Sequence, residues 1–252
     1  MTRTVDYERI AATYDDLPIR NSISPDEVLG TRIHASASRL AVLDIGCGTG
    51  TWLAVQHRSF HRDGVDWVGA DPSEAMLARA RTKIPDARFV VATAEQLPFA
   101  DGSFDFVSTR FAHHHFVDKP RAFDEIARVT AKGGALFVMN VAPDAMSAWW
   151  VFRYFPDALR ENERYWPADR IAGAMRERGF DVDLEVRAMR GTIALRDALE
   201  QARVRDQSHL VTLPDDAWMR GVESLEREFA AAPDRVLETE SAVLVLRGKR
   251  NR

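Results

Sequence analysis

From residue 40 to about 141, short apolar runs alternate with stretches whose apolar positions recur at helical spacing. That rhythm belongs to βαβ units, in which a parallel sheet is covered by helices on both faces. The runs predict strands over 40–45, 67–70, 88–92, 104–108 and 135–141, with helices opening near Gly50 and over 73–83 and 120–131. In the last helix Phe123, Ile126, Ala127 and Thr130 fall at i, i+3, i+4 and i+7, and Gly133-Gly134 is the expected left-handed stop. Ahead of the sheet, 5–17 and 25–37 read as helices, the second with Ser24 as N-cap and Pro25 at its first position. Behind it comes an aromatic segment, Trp149, Trp150, Phe152, Tyr154 and Phe155, ending near Tyr165-Trp166. A helix over 167–178 stopped by Gly179, a strand near 182–188, helices over 193–207 and 214–231, and a strand over 241–247 complete the pattern. No repeat or linker interrupts the chain, so a single domain over 1–252 is expected: N-terminal helices over 1–39, a ligand-binding core over 40–141, and over 142–252 the rest of the sheet with inserted cap segments 143–166 and 193–232.

Composition narrows the function classes. With 46% hydrophobic and 29% charged residues in 252, general disorder is excluded. The charge balance, 34 − 38 = −4, gives no electrostatic reason for a polyanionic partner. Cys47 is the only cysteine and forms no internal disulfide. No run approaches the roughly 18 apolar residues of a membrane span, and the N-terminus lacks the apolar run of a signal peptide. The expectation is a soluble, cytoplasmic protein, monomer or homodimer, with no nucleic-acid or membrane partner.

The most informative stretch is Asp44-Ile45-Gly46-Cys47-Gly48-Thr49-Gly50, a strand running into glycines at every second position. Glycines in a strand-to-helix turn permit positive φ and let backbone amides approach a nucleotide-like ligand. A dinucleotide fingerprint reads G-x-G-x-x-G, but here the third glycine comes one residue early. Asp44 would also oppose a pyrophosphate, whereas it could accept a hydrogen bond from a cationic ligand. Asp71, at the end of the next strand and followed by Pro72-Ser73, stands about twenty residues past the loop, where an acid meets ribose hydroxyls. It is equally placed to cap a helix.

An acid before D-x-G-x-G-x-G glycines and a second strand-end acid resemble the class I S-adenosylmethionine-dependent methyltransferases. Thr93-Ala94-Glu95-Gln96-Leu97-Pro98-Phe99 with Asp101-Gly102-Ser103-Phe104-Asp105, and Glu125-Ile126-Ala127-Arg128-Val129 with Gly133-Gly134, extend the resemblance over roughly 40–140. Its nearest relatives by pattern are small-molecule enzymes, including those of quinone biosynthesis. The resemblance implies an α/β fold, a Rossmann-like doubly wound and mostly parallel sheet with N-terminal helices and a helical, aromatic cap. It also implies transfer of a methyl group from S-adenosylmethionine to a small-molecule acceptor, expected to be O or N of an aromatic or heterocyclic metabolite. Asp44 would orient the methionine amino group, Gly46, Cys47, Gly48 and Gly50 would make room for the cofactor, and Asp71 with Pro72 would meet the ribose. Ala94 and Glu95 would face the adenine, and Thr109 and Arg110 would line the methionine side. Two positions depart from the family pattern: Thr93 stands where an Asp is usual and Lys132 where a Pro is usual. A nicotinamide-dependent oxidoreductase and a non-catalytic cofactor-binding module are the competing readings.

If the acceptor needs a base, His113-His114-His115 is the first candidate, because it follows the fourth strand at the ligand-binding edge of such sheets. His113 and His114 are taken as catalytic candidates, against an equally weighted reading in which the run only packs. Neighbouring imidazoles converge poorly on one ion, and the His57/His61 pair has no evident third ligand, so no metal is expected. Tyr7 and Tyr14 share a face of the predicted first helix, and Tyr14 is the better candidate for contacting cofactor or substrate. The aromatic segment either walls the acceptor pocket or packs the cap's own core.

Overall fold

A parallel strand covered on both faces can be apolar at nearly every position. The first run follows this rule: β1 (Leu40–Ile45) is buried along almost its whole length. Our computed structural model describes residues 6–16, 23–60, 62–146, 148–205 and 207–251. These fall into two units, one of residues 7–140, 169–185 and 245–251, the other of residue 6 with Val141–Ala168 and Val186–Leu244.

In the first unit, α1 (Tyr7–Ile10) and α2 (Glu27–Ala35) precede β1. Then come α3 (Thr51–Phe60), β2 (Val65–Asp71), α4 (Glu74–Lys83), β3 (Arg88–Val91), β4 (Phe104–Arg110), α5 (Lys119–Val129) and β5 (Thr130–Val141). After α6 (Ala168–Glu177) the chain adds residues 180–185 of β6 (Phe180–Ala194) and 245–250 of β7 (Val236–Arg250). The seven-stranded sheet has the order β3-β2-β1-β4-β5-β7-β6, and the pairs among β1 to β5 are parallel. This is the Rossmann-like, mostly parallel architecture the sequence implies. β1 lies third in that order, between β2 and β4, so the loop after it opens at the carboxyl edge between those two strands.

Several boundaries differ from expectation for local reasons. The predicted helix over 5–17 is broken: α1 ends at Ile10, and a 3₁₀ turn at Tyr14–Asp16 follows. Asp15 is held there by side chains of the glycine loop and of α4, which a continuous helix would not satisfy. Val5 and Leu17 lie outside the described residues. Asp26, not Ser24, caps α2; its Oδ1 accepts from the Leu29 amide at 2.9 Å, and its own amide donates to Gln56 Oε1 at 2.7 Å. Pro25 therefore precedes the cap. Helix α5 turns extended at Thr130, three residues ahead of Gly133, whose φ of +75° serves β5 instead. Strands β6 and β7 both run well past the expected 182–188 and 241–247.

Buried Glu125 ties α5 to the loop after β3. Its Oε2 accepts from the Leu97 amide at 2.9 Å, and both its oxygens accept from Arg128, at 2.7 and 2.8 Å. Arg128 in turn donates to the Phe99 and Leu97 carbonyls at 2.7 and 2.9 Å. The Arg128 guanidinium holds the Glu125 carboxyl below its usual range. A depressed carboxylate contributes stability that is present above its unfolded pKa and lost as pH falls through the folded one. Glu125→Gln should cost about 2 kcal/mol, by weakening charge-assisted bonds and disturbing a buried amide. Urea unfolding at pH 7 and pH 4 checks this; the gap between variant and wild type should shrink at the lower pH, and an unchanged gap counts against it.

The second unit has an aromatic core of its own. Trp150, Phe152, Tyr154 and Phe155 are buried with Leu195, Leu199, Leu210, Leu213 and Leu225, contributed by helices Leu195–Val204, Ser208–Val211 and Asp215–Ala231 and their connections. The rings of Trp149, Phe152 and Tyr165 surround His209 at 5.2, 5.6 and 5.7 Å, and its Nε2 lies 3.2 Å from Asn162 Oδ1. Burial pushes His209 down to about 4, so it is an uncharged filler of this box. Of the two readings left open for the aromatic segment, the structure shows the packing one for these side chains.

Candidate active site

Parallel register brings the ends of β1, β2 and β4 level. Asp44 pairs with Gly69 of β2 and with Ser108 of β4, and Ile45 with Thr109. Glycines follow at once because the turn requires them: φ is +68° at Gly46, +53° at Gly48 and +72° at Gly50. A Cβ on Gly46 would stand 2.4 Å from the Ala112 Cβ, and one on Gly48 would meet nothing within 4 Å. Gly46 is thus demanded by the protein's own packing, while Gly48 leaves open a space that a Cβ would enter.

Asp71 closes this loop from the neighbouring strand. Its Oδ2 accepts from the Gly48 amide at 2.8 Å, and its Oδ1 accepts from the Ser73 amide at 3.0 Å. The capping of α4 itself falls to Ser73, whose Oγ accepts from the Met76 amide at 3.2 Å. Burial raises the Asp71 carboxyl above its usual range, against the two amides that lower it. Pro72 beside it is exposed. Cys47 is buried and turned toward Gly69, where any added Cβ would lie 2.8 Å from its Sγ. Burial, with Asp44 and Asp71 nearby, pushes its thiol well above the ordinary range, leaving a protonated side chain unsuited to nucleophilic work.

Asp44 is buried and its Oδ1 accepts from Ser108 Oγ at 2.7 Å. Burial pushes its carboxyl up to about 7, Ser108 and Arg110 opposing. A raised carboxyl contributes stability that is fully present below its unfolded pKa and is lost as pH rises through 7. Where a cationic ligand group binds beside it, the ionised form is favoured and a proton leaves. If the group is the methionine ammonium that the sequence resemblance implies, binding of S-adenosylhomocysteine should release up to about one proton at pH 6 and tighten between pH 6 and 8. Calorimetry in buffers of different ionisation heat reads this directly; equal release from Asp44→Asn and wild type would assign the proton elsewhere.

Of the adenine candidates, Ala94 is buried, whereas Glu95 has other work. Its Oε1 accepts from the amides of Val117 and Asp118 at 2.7 and 3.2 Å, and its carbonyl accepts from Arg121 Nε at 3.3 Å. The segment after β4 is more strained. Phe111 has φ +50° with its ring exposed, and Thr109 Oγ1, Arg110 Nε and His113 Nε2 are buried polar atoms without a hydrogen-bond partner among the described residues. Non-glycine residues in this backbone region cost of order 1–3 kcal/mol and cluster at functional sites.

The three histidines form a 3₁₀ turn, with the His114 and His115 rings 3.8 Å apart and the His113 and His114 rings edge to face at 6.3 Å. His113 and His114 are buried, and Asn140 of β5 donates its Nδ2 to both Nδ1 atoms, that of His114 at 3.2 Å. His115 Nε2 meets the Tyr7 hydroxyl at 2.7 Å, and the Tyr7 and Tyr14 rings meet edge to face at 6.2 Å. The two tyrosines therefore come together from separate elements and not from one helical face. Burial, aided by the charges of Lys119 and His115, pushes His113 down to about 3, so at neutral pH it is an uncharged ring and a weak base.

Asn140 escaped the sequence reading, although a polar residue at a buried position of an apolar strand was the available signal. So did the fastening of Asp15. Lys83 Nζ donates to Asp15 Oδ2 at 2.8 Å and to Thr49 and Thr51 at 3.0 and 2.6 Å, and both threonine hydroxyls donate to Asp15 Oδ1, at 2.6 and 3.1 Å. Burial alone would raise the Asp15 carboxyl, but these bonds hold it below its usual range. Among the described residues no cluster of His, Cys, Asp or Glu suits a metal ion, and no helix is long and apolar enough to cross a membrane. His61 lies outside them.

Residues 43–138 match the family model described as a methyltransferase domain. The demethylmenaquinone methyltransferase of Paenarthrobacter aurescens is 31% identical over 193 residues, 69% of this chain and 73% of that protein. The chain belongs to the class I S-adenosylmethionine-dependent methyltransferases. The ubiquinone/menaquinone biosynthesis C-methyltransferase UbiE of Campylobacter jejuni is 35% identical over 104 residues, but the match spans only 44% of its length. In fold, the chain resembles a Haemonchus contortus phosphoethanolamine N-methyltransferase solved with phosphomonomethylethanolamine and S-adenosylhomocysteine. That similarity has a TM-score of 0.59 at 20% identity and covers 98% of this chain and 61% of that one. The residues of this methyltransferase are compatible with the family's cofactor: the space at Gly48, the two carboxylates on adjoining strands and the orphaned Thr109 and Arg110 atoms offer room and polar partners for a ribose-bearing, zwitterionic ligand.

Proposed function

We propose that this methyltransferase moves a methyl group from S-adenosylmethionine to a small-molecule acceptor and releases S-adenosylhomocysteine. The carrying observation is the buried Asp71 carboxylate bonded to the Gly48 amide, Gly48 being the one of the three loop glycines whose added Cβ would meet no atom within 4 Å. The bound cofactor supplies an electrophilic methyl on a sulfonium and its own leaving group, so the protein's task is mainly to bind and orient. Asp71 and Pro72 would meet the ribose, Gly46, Cys47, Gly48 and Gly50 would shape the loop, and Ala94 with the Glu95 backbone would border the adenine. Asp44, Thr109 and Arg110 would meet the methionine end. His113, His114 and Tyr14 would face the acceptor.

Quinone-type acceptors gain support from the relatives' names and are tested alongside phenols and amines. Calorimetry with S-adenosylhomocysteine and with NAD(H), followed by a metabolite panel read by S-adenosylhomocysteine release, tests the reading. Binding of S-adenosylhomocysteine alone and turnover of at least one acceptor are expected. NAD(H) binding instead would indicate an oxidoreductase, and binding without turnover on any acceptor a non-catalytic module.

A further inference from the structure

Asn140 is wholly buried, and its amide nitrogen faces the Nδ1 atoms of two consecutive imidazoles. An amide nitrogen only donates, so each Nδ1 it meets must carry a lone pair, and in a neutral ring the proton then sits on Nε2. For His113 that Nε2–H is a buried donor without a partner among the described residues, on a segment that already holds the orphaned Thr109 Oγ1 and Arg110 Nε. An unmet buried donor is destabilising, and native structures keep few of them without a ligand or catalytic use.

The charges facing the ring favour an anion as the missing partner. Lys119 is close enough to depress the protonation of His113, its Nζ donating to the Phe116 carbonyl at 2.9 Å, and the other titratable group acting on the ring is His115.

We infer that the His113 Nε2–H, oriented by Asn140 as a positioning residue, binds an oxygen anion of the methyl acceptor, which is therefore an acidic phenol or enol and not an amine. This rests on the methyltransferase reading above. The acceptor loses its hydroxyl proton to solvent before binding, so no protein base is needed. In the transfer an electron pair of the acceptor's oxygen, or of its conjugated carbon, forms the bond to methyl. The carbon–sulfur bond breaks and its pair returns to sulfur, giving a neutral methylated product and a neutral thioether. The donor holds the anion in place and shields its charge.

The test has two independent arms. Nitrogen-15 spectra of histidine-labelled protein, assigned with His113→Gln, should show Nε2 protonated and Nδ1 bare from pH 5 to 8. A proton on Nδ1, or a titration within that range, overturns the proposal. In the second arm, 2-hydroxy-1,4-naphthoquinone and 2-amino-1,4-naphthoquinone are titrated into the protein saturated with S-adenosylhomocysteine. The hydroxyquinone, an anion at neutral pH, should bind at least about tenfold more tightly. His113→Ala should erase that preference and His113→Gln, which keeps a donor, should retain part of it. Equal binding, preference for the amine, or binding of neither probe sinks the substrate class. Asn140→Asp should invert the tautomer without unfolding the protein, as read by its melting temperature; an unmoved tautomer removes Asn140 from the positioning role. Failure of S-adenosylhomocysteine to bind would instead strike the underlying function and leave the tautomer measurement standing.

Discussion

Asp71→Ala should weaken binding of S-adenosylhomocysteine by at least about a hundredfold, the largest loss expected from any single side chain of the cofactor site. Two separate costs add. The carboxylate accepts from the Gly48 and Ser73 amides at 2.8 and 3.0 Å in a buried setting, so its removal strands two donors at roughly 1–3 kcal/mol each. Hydrogen bonds from ribose hydroxyls to a charged acceptor are then lost as well, at about 1.5–3 kcal/mol each. The first cost appears as a lower melting temperature of the free protein, the second only in affinity. Asp71→Asn divides them: one oxygen still accepts from an amide, while the new NH₂ opposes the other. It should fall between wild type and Asp71→Ala in both measurements. Calorimetry and thermal denaturation on the same preparations decide the matter, and unchanged affinity in Asp71→Ala would remove this residue from the ribose and leave it as a loop clamp.

What the sequence disclosed, and what it withheld, follows from how far apart in the chain the deciding atoms lie. β1 is found at the residues read from its apolar run, and the glycine loop and Asp71 announce themselves because spacing along a strand-turn-helix unit dictates where their atoms fall. The three glycines look alike in the sequence, yet one faces Ala112 and another faces open space, a distinction only tertiary packing creates. Asn140 reads as a stray amide in an apolar strand until His113, 27 residues earlier, is seen against it. Asp15 and Lys83 are 68 residues apart, and their pairing fastens the 3₁₀ turn found where periodicity predicts a continuous helix over 5–17. The histidine run could be placed at the sheet edge, but burial, which lowers His113 to about 3, has no counterpart in a linear pattern.

The same contrast among glycines yields the second large effect. Gly46→Ala should destabilise the protein by about 2–5 kcal/mol, because alanine must hold φ near +68° and its Cβ would lie 2.4 Å from that of Ala112. Backbone strain and overpacking are distinct terms here. Ala112→Gly removes the second only, so the pair Gly46→Ala and Ala112→Gly should be more stable than the sum of the single changes implies, by about 1 kcal/mol or more. Gly48→Ala carries the strain of φ +53° but meets no atom within 4 Å, so its stability should fall by only about 1 kcal/mol. Its affinity for S-adenosylhomocysteine should nevertheless drop at least about tenfold, since its methyl group would enter space the ligand needs. Denaturant unfolding gives the stabilities and calorimetry the affinities. Two results would defeat the assignment: additive effects in the Gly46/Ala112 cycle, or a Gly48→Ala protein that binds S-adenosylhomocysteine as wild type does. Since Ala112 immediately precedes His113, strain introduced at Gly46 should also reach the histidine turn, coupling the cofactor loop to the acceptor side through a single contact between two small residues.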